Sequence, residues 1–176
     1  MGTNDSSKLL LLEINEISQE TFNYALQFPK RFPNISKLVE NSHRLETIAS
    51  DRLEKKFLEP WQTWPTFHRG CLPSEHGISV IGQDIKTFRG KTIWQEVLEK
   101  DESIGIFGSM QSWPPIYPGK NGFYIPDCFA SSAETIPKKH KYFQQFILNQ
   151  IKSNGRIVNK SVPIMELFKL STIFLR

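Results

Sequence analysis

Cysteine is scarce in this 176-residue chain: Cys71 and Cys128 stand too far apart for a CxxC site and are too few for a disulfide framework. A reduced, cytoplasmic setting is the expectation. Long apolar runs are missing too. Leu9 to Leu12 is shorter than the h-region of a signal peptide, and nothing approaches the roughly 18 apolar residues of a membrane span. No membrane span is therefore expected. Dense charge of one sign is also lacking. The net charge of +4 comes from 22 Lys+Arg against 18 Asp+Glu, scattered except at Lys55-Lys56 and Lys138-Lys139-His140-Lys141. A nucleic-acid footprint concentrates basic residues on one face among groove-reading or base-stacking elements, so no nucleic-acid partner is expected. Internal repeats and low-complexity tracts are absent. Met1-Gly2-Thr3-Asn4-Asp5-Ser6 formally matches an N-myristoylation pattern, but one short enough to occur by chance.

What is present suits a folded domain, with 39% apolar and 12% aromatic residues. Residues 1–8 read as a flexible polar N-terminus and 9–176 as one portion of a globular domain. Lys8 to Ile14 is a continuous apolar run of strand length, the kind that parallel sheets bury on both faces. Ser18 can cap a following helix with Phe22, Ala25 and Leu26 on one face. After Pro29 and Pro33, residues 34–42 predict a second helix burying Ile35, Leu38 and Val39. Arg44 to Ala49 alternates as an edge strand does. Thr92 and Gln95 form a capping box before a stripe of Ile93, Trp94, Val97 and Leu98. Ser103 to Gly108 is a second short buried strand. Trp113-Pro114-Pro115-Ile116-Tyr117-Pro118-Gly119 has too few backbone donors for helix interior or central strand and must be a loop or lid. Ser131 and Glu134 offer another capping box, before a helix running to about Ser153 that buries Phe143, Phe146, Ile147 and Ile151. Alternating strand and helix with buried strands predicts a layered α/β/α fold with a mostly parallel sheet, its sites along the carboxyl edge.

One stretch carries most of the chemical signal. Thr63, Gly70, Pro73 and His76-Gly77-Ile78 follow one another within Glu59 to Ile78, behind an N-terminal strand that ends in Glu13-Ile14-Asn15-Glu16. This order resembles the nucleophile region of the alkaline phosphatase superfamily, nearest its type I phosphodiesterase and nucleotide pyrophosphatase branch. Ile104 to Met110, the Trp-Pro-Pro loop and Gly122 to Asp127 resemble the segment beyond the nucleophile in that branch, so the likeness spans roughly residues 9–150. The resemblance implies an incomplete alkaline-phosphatase-like core, the N-terminal portion of a longer hydrolase. It implies Thr63 as a nucleophile at a helix N-terminus, divalent metal ions with zinc foremost, and a small-molecule phosphate ester as substrate. Asn15 stands where the first metal-binding Asp falls, so the metal-contacting residues are Asn15 and Thr63.

The chain departs from that pattern in three places. Asn15 supplies a neutral amide where a carboxylate would hold a hard cation better. The interval from Thr63 to Gly70 is shorter than usual, so an ungapped alignment places Pro60 at the nucleophile, and Thr66 is a second candidate. The later Asp-rich and His-rich ligand motifs do not occur: beyond residue 100 the only histidine is His140. A weakly active or inactive portion is one expectation, and a non-catalytic relative acting in binding or assembly is the alternative.

Other residues carry a sharp and a plain reading side by side. His76 reads as a turn histidine bonded to backbone sooner than as a ligand. His68 lies about a helical turn beyond Thr63 and is either substrate-facing or a satisfied surface or core residue. Trp61, Trp64 and Trp113 can stack a base or pack a core. Glu59 is a cap or a supporting carboxylate. Cys71 is a small buried residue without His and Asp partners, and Arg69 is either a phosphate clamp or a solvated side chain.

Overall fold

In the computed structural model of the chain, residues 8–15, 17–47, 59–151 and 171 are described, and they fall into two compact units, residues 1–48 and 49–176.

In the first unit Ser18 caps helix α1 (Gln19–Gln27) by accepting the Thr21 N–H at 3.1 Å, which satisfies one of the amides that a helix start leaves open. Ala25 is buried and Phe22 and Leu26 are half-buried, the face that helical spacing predicts. Helix α2 (Pro33–Glu40) starts with Pro at its first position, where the missing N–H costs no hydrogen bond. It half-buries Ile35 and Val39, but it buries Ser36 and leaves Leu38 63% exposed, so its inner face is rotated from the expected one. Arg44 lies 5.9 Å over the Phe22 ring and donates to Asn23 Oδ1, while Gln19 donates to Glu46.

The buried strand expected over Lys8 to Ile14 is not formed. Leu9 and Leu10 are 85% and 89% exposed, without strand geometry. A strand apolar on both faces needs a sheet neighbour for its backbone and cover on each face, and the described residues of this unit contain no strand to supply either. Residues 44–47 are likewise not a strand, and 48–49 lie outside the described residues.

The second unit holds helix α3 (Pro60–Arg69), the one-turn helix α4 (Pro73–His76), helix α5 (Ile93–Leu98), strands β1 (Gly105–Phe107) and β2 (Phe123–Ile125), and helix α6 (Lys141–Ile151). The capping box at Thr92 forms as predicted, with the Thr92 N–H donating to Gln95 Oε1 at 2.8 Å and the Gln95 N–H to Thr92 Oγ1 at 3.4 Å. Of the stripe behind it Trp94 is buried, Val97 and Leu98 are half-buried, and Ile93 is exposed.

Strand β1 is the one expected between Ser103 and Gly108. It pairs in parallel with β2, Ile106 opposite Tyr124. The crossover is the proline-rich loop, not a helix, and it includes a cis Trp113–Pro114 bond. Gly122 lets this loop close. A Cβ there would sit 2.5 Å from the Ile104 carbonyl oxygen, so no side chain fits. A further antiparallel bridge joins Tyr124 to Ile136 through N–O contacts of 2.6 and 2.9 Å. The described sheet is therefore small. The fold is mixed α/β, with two parallel strands and flanking helices.

That bridge explains a second correction. The helix expected from Ser131 begins only at Lys141, because residues around 136 are held extended against β2. Ser132 and Glu134 bond locally instead of capping a helix. Once formed, α6 half-buries Phe143, Phe146, Ile147 and Ile151 as expected, and fully buries Gln144 and Leu148. Leu148 packs with Ala130 and Ala133, and Trp113 covers this cluster.

Candidate functional site

Residues 59–78 fold as a helix, a left-handed glycine, a second short helix and a turn. Gly70 ends α3 at φ 61° and Gly77 ends α4 at φ 71°, conformations that glycine adopts without a Cβ penalty. At the head of α4 the Leu72 N–H donates to Glu75 Oε2 at 2.7 Å. Gln62 then ties α3 to the following loop by donating to the Ser79 carbonyl, and Gln83 staples that loop by bonding Gly77, Ser79 and Thr87.

Thr63 is exposed, one turn into α3. Its hydroxyl donates to the Glu59 carbonyl at 3.2 Å, and its own N–H reaches the same oxygen at 3.0 Å. The Gln62 N–H also goes to Glu59 O, at 2.9 Å, and Pro60 has no N–H. The amide positions 60, 62 and 63 are thus not open to an anion, a thin version of the helix-end cradle that a transferring phosphoryl group uses. Glu59 holds the N-cap position in extended geometry, with no side-chain cap bond. Asn15 belongs to the first unit and is exposed.

Thr66 and His76 form a buried relay. His76 is fully buried, its Nδ1 accepts the Ile78 N–H at 3.0 Å, and its Nε2 lies 3.0 Å from Thr66 Oγ1. An Nδ1 that accepts leaves the proton of the neutral ring on Nε2, so His76 donates to Thr66, which in turn donates to the Gln62 carbonyl at 2.8 Å. Both groups brace the turn between α3 and α4. His68, 1% exposed, packs in a tilted arrangement 4.9 Å from Trp94, with its Nε2 3.4 Å from Ser109 Oγ, and is a core residue.

Trp61, Trp64 and Trp113 divide. Trp64 packs against Phe67 and His68, whereas Trp61 and Trp113 line a cleft of about 80 Å³. Arg69 is half-buried: its guanidinium lies 5.7 Å over the Phe88 ring with Nε and Nη1 buried and unbonded, and burial lowers its pKa. Cys71 is half-buried and free.

Sequence reasoning passed over Asp127. This residue is 3% exposed and lines the cleft. Its Oδ1 accepts the Phe129 N–H at 2.7 Å, its Oδ2 the Ser112 N–H at 3.1 Å, and its carbonyl the side chain of the fully buried Gln144 at 2.8 Å. Burial pushes its pKa up, against the backbone N–H bonds that lower it. Burial also pushes the neighbouring Tyr124 hydroxyl well above its usual range. The Pro126-Asp127 pair was the available signal, since Asp after Pro is a common turn-organising residue.

Comparison with protein-family models, with curated proteins and with solved structures finds no match to this chain. No described helix is long and apolar enough to cross a membrane.

Proposed function

We propose that this chain is part of a metal-dependent phosphodiesterase or nucleotide-pyrophosphatase-like hydrolase, acting in the cytoplasm on a small-molecule phosphate ester, with a layered α/β/α core. The observation that carries this reading is the ordered run from Thr63 to Ile78, in which an exposed hydroxyl stands on the first full turn of a helix whose far end is braced by the His76–Thr66 relay. In this reaction Thr63 Oγ1 rotates away from Glu59 and bonds to phosphorus as the bond to the leaving alcohol breaks. The hydroxyl proton departs with that alcohol, and water then hydrolyses the phospho-threonine.

Zinc is the metal that goes with this reading. The described residues contain no group of three or more His, Cys, Asp or Glu able to hold a metal ion. Asn15 and Thr63 offer only an amide and a hydroxyl, a donor set that does not fit zinc by itself.

The test is turnover of bis-(p-nitrophenyl) phosphate with added zinc, comparing the chain with its Thr63→Ala and Thr66→Ala variants. Weak turnover lost in Thr63→Ala alone supports the reading; turnover that survives Thr63→Ala overturns it. A second reading, a non-catalytic relative acting in binding or assembly, is favoured by the thin amide cradle at positions 60–63. Calorimetry separates the two, because tight stoichiometric zinc binding sinks the second.

A further inference from the structure

The proline-rich crossover between β1 and β2 is held at both ends and bare in the middle. At one end the Trp113 Nε1–H donates to Ser132 Oγ at 3.1 Å, and the indole covers the cluster around Leu148. At the other end Pro118 is fully buried, and its carbonyl accepts the Ile104 N–H at 2.9 Å. Between these anchors, residues 114–117 have neither helix nor strand geometry and form no hydrogen bond among the described residues.

Proline fixes φ near about −65° at positions 114, 115 and 118, and it biases Trp113, Pro114 and Tyr117, each before a proline, toward extended backbone. Those restraints on a backbone without internal hydrogen bonds define a polyproline II segment, which has roughly three residues per turn. Burial follows that period. Pro114 and Tyr117 are exposed, Tyr117 to 70%, whereas Pro115 is half-buried and Pro118 fully buried. The loop thus offers one ridge, Pro114 with Tyr117, and turns the other ridge inward.

Three kinds of partner differ in what they need from such a ridge. A domain that reads Pro-x-x-Pro needs both prolines accessible; here that pair is Pro115 and Pro118, and Pro118 is buried. A partner that adds a strand needs a run of backbone N–H groups, and Pro114, Pro115 and Pro118 have none. A groove lined by aromatic side chains fits, because proline and tyrosine rings pack against it and the segment arrives already extended, which lowers the ordering cost of binding.

We propose that the Pro114–Tyr117 ridge docks a proline-recognition domain of the type that reads Pro-Pro-x-Tyr in an aromatic-lined groove, with Tyr117 as the anchor. Tyr117 makes no hydrogen bond or aromatic pair among the described residues, so its ring and hydroxyl are available to that partner. The surface uses neither Thr63 nor a metal and stands apart from the phosphoesterase reading.

The experiment titrates the full chain into an isotope-labelled WW domain that reads Pro-Pro-x-Tyr, followed by calorimetry and by the chemical shifts of the domain. A synthetic peptide of residues 111–121 is the reference, since it carries the same ridge without the fold. The chain is expected to bind saturably below about 1 mM and at least as tightly as the peptide. Tyr117→Ala is expected to lose at least about tenfold in affinity and Pro114→Ala several-fold, and both exposed positions should leave the urea midpoint unchanged. No saturation up to about 1 mM overturns the proposal. So does a chain that binds more weakly than the peptide, because the fold would then hide the ridge. Binding that survives Tyr117→Ala, that survives alanine replacement of the groove aromatics, or that a Pro-x-x-Pro-reading domain matches, overturns it as well.

Discussion

The Thr63 turn and the Asp127 turn are both polar elements of the second unit, yet they are built in opposite ways. Thr63 is exposed and bonded only to its own helix, so little else depends on it. Asp127 is buried and tied to the nearby Phe129 and to Ser112 and Gln144, which lie far from it in the chain on either side. The His76–Thr66 relay is built like the Asp127 turn, although Thr66 lies less than one helical turn from Thr63. Burial, not nearness to the motif, separates groups that hold the fold from groups left free to react.

The comparison breaks most visibly at His76. Replacing it by alanine empties a fully buried site and strips Thr66 and the Ile78 N–H of a partner. A loss of about 3 kcal/mol is expected from the cavity and the unmet hydrogen bonds, read as a lowered urea midpoint. A loss below about 1 kcal/mol would mean that the relay braces nothing. Next in size is Gln144→Ala, which leaves the Asp127 carbonyl buried without its donor; about 2 kcal/mol is expected by the same measurement. A Gln144→Ala chain as stable as its parent would show the Asp127 turn to be self-supporting.

Local signals were legible in the sequence and long-range ones were not. The Ser18 cap, the Thr92–Gln95 box, the break at Pro33 and the strand before Gly108 each depend on residues within a turn of one another, and each forms. The failures all turn on distant partners. Leu9 to Leu12 have the composition of a buried strand, but composition does not supply the neighbour that would bury them. The start of α6 is set by a bridge from Ile136 back to Tyr124, and no local capping pattern reveals it. In the candidate site, the plain reading of His76 as a turn histidine agrees with its bonds, whereas Asp127 was passed over because its partners Ser112 and Gln144 lie on either side at a distance.

Thr63→Ala should sharpen the contrast from the other side. The change removes one exposed bond to Glu59 and gains helix propensity, so stability is expected to stay within about 0.5 kcal/mol or rise slightly. Any phosphodiester turnover should nevertheless vanish. A clear loss of stability in Thr63→Ala would place Thr63 with the structural group and weaken its assignment as nucleophile.

The smallest effect expected is in the pH dependence, and it decides which force governs Asp127. Burial raises its folded pKa above the unfolded value of about 3.9. Below that value the carboxyl is protonated in both states and contributes no slope. As pH rises the unfolded chain ionises first, so the folded state binds more protons and its stability falls until pH passes the raised folded pKa. Burial keeps Tyr124 and Cys128 neutral through this window, since both are shifted upward, and neither contributes to the slope. The stability of the parent chain minus that of Asp127→Asn, from urea melts between pH 4 and 7, should therefore decline as pH rises. A difference that grows with pH would mean that the Ser112 and Phe129 N–H groups outweigh desolvation. The carboxylate would then be stable in its buried turn without a further partner.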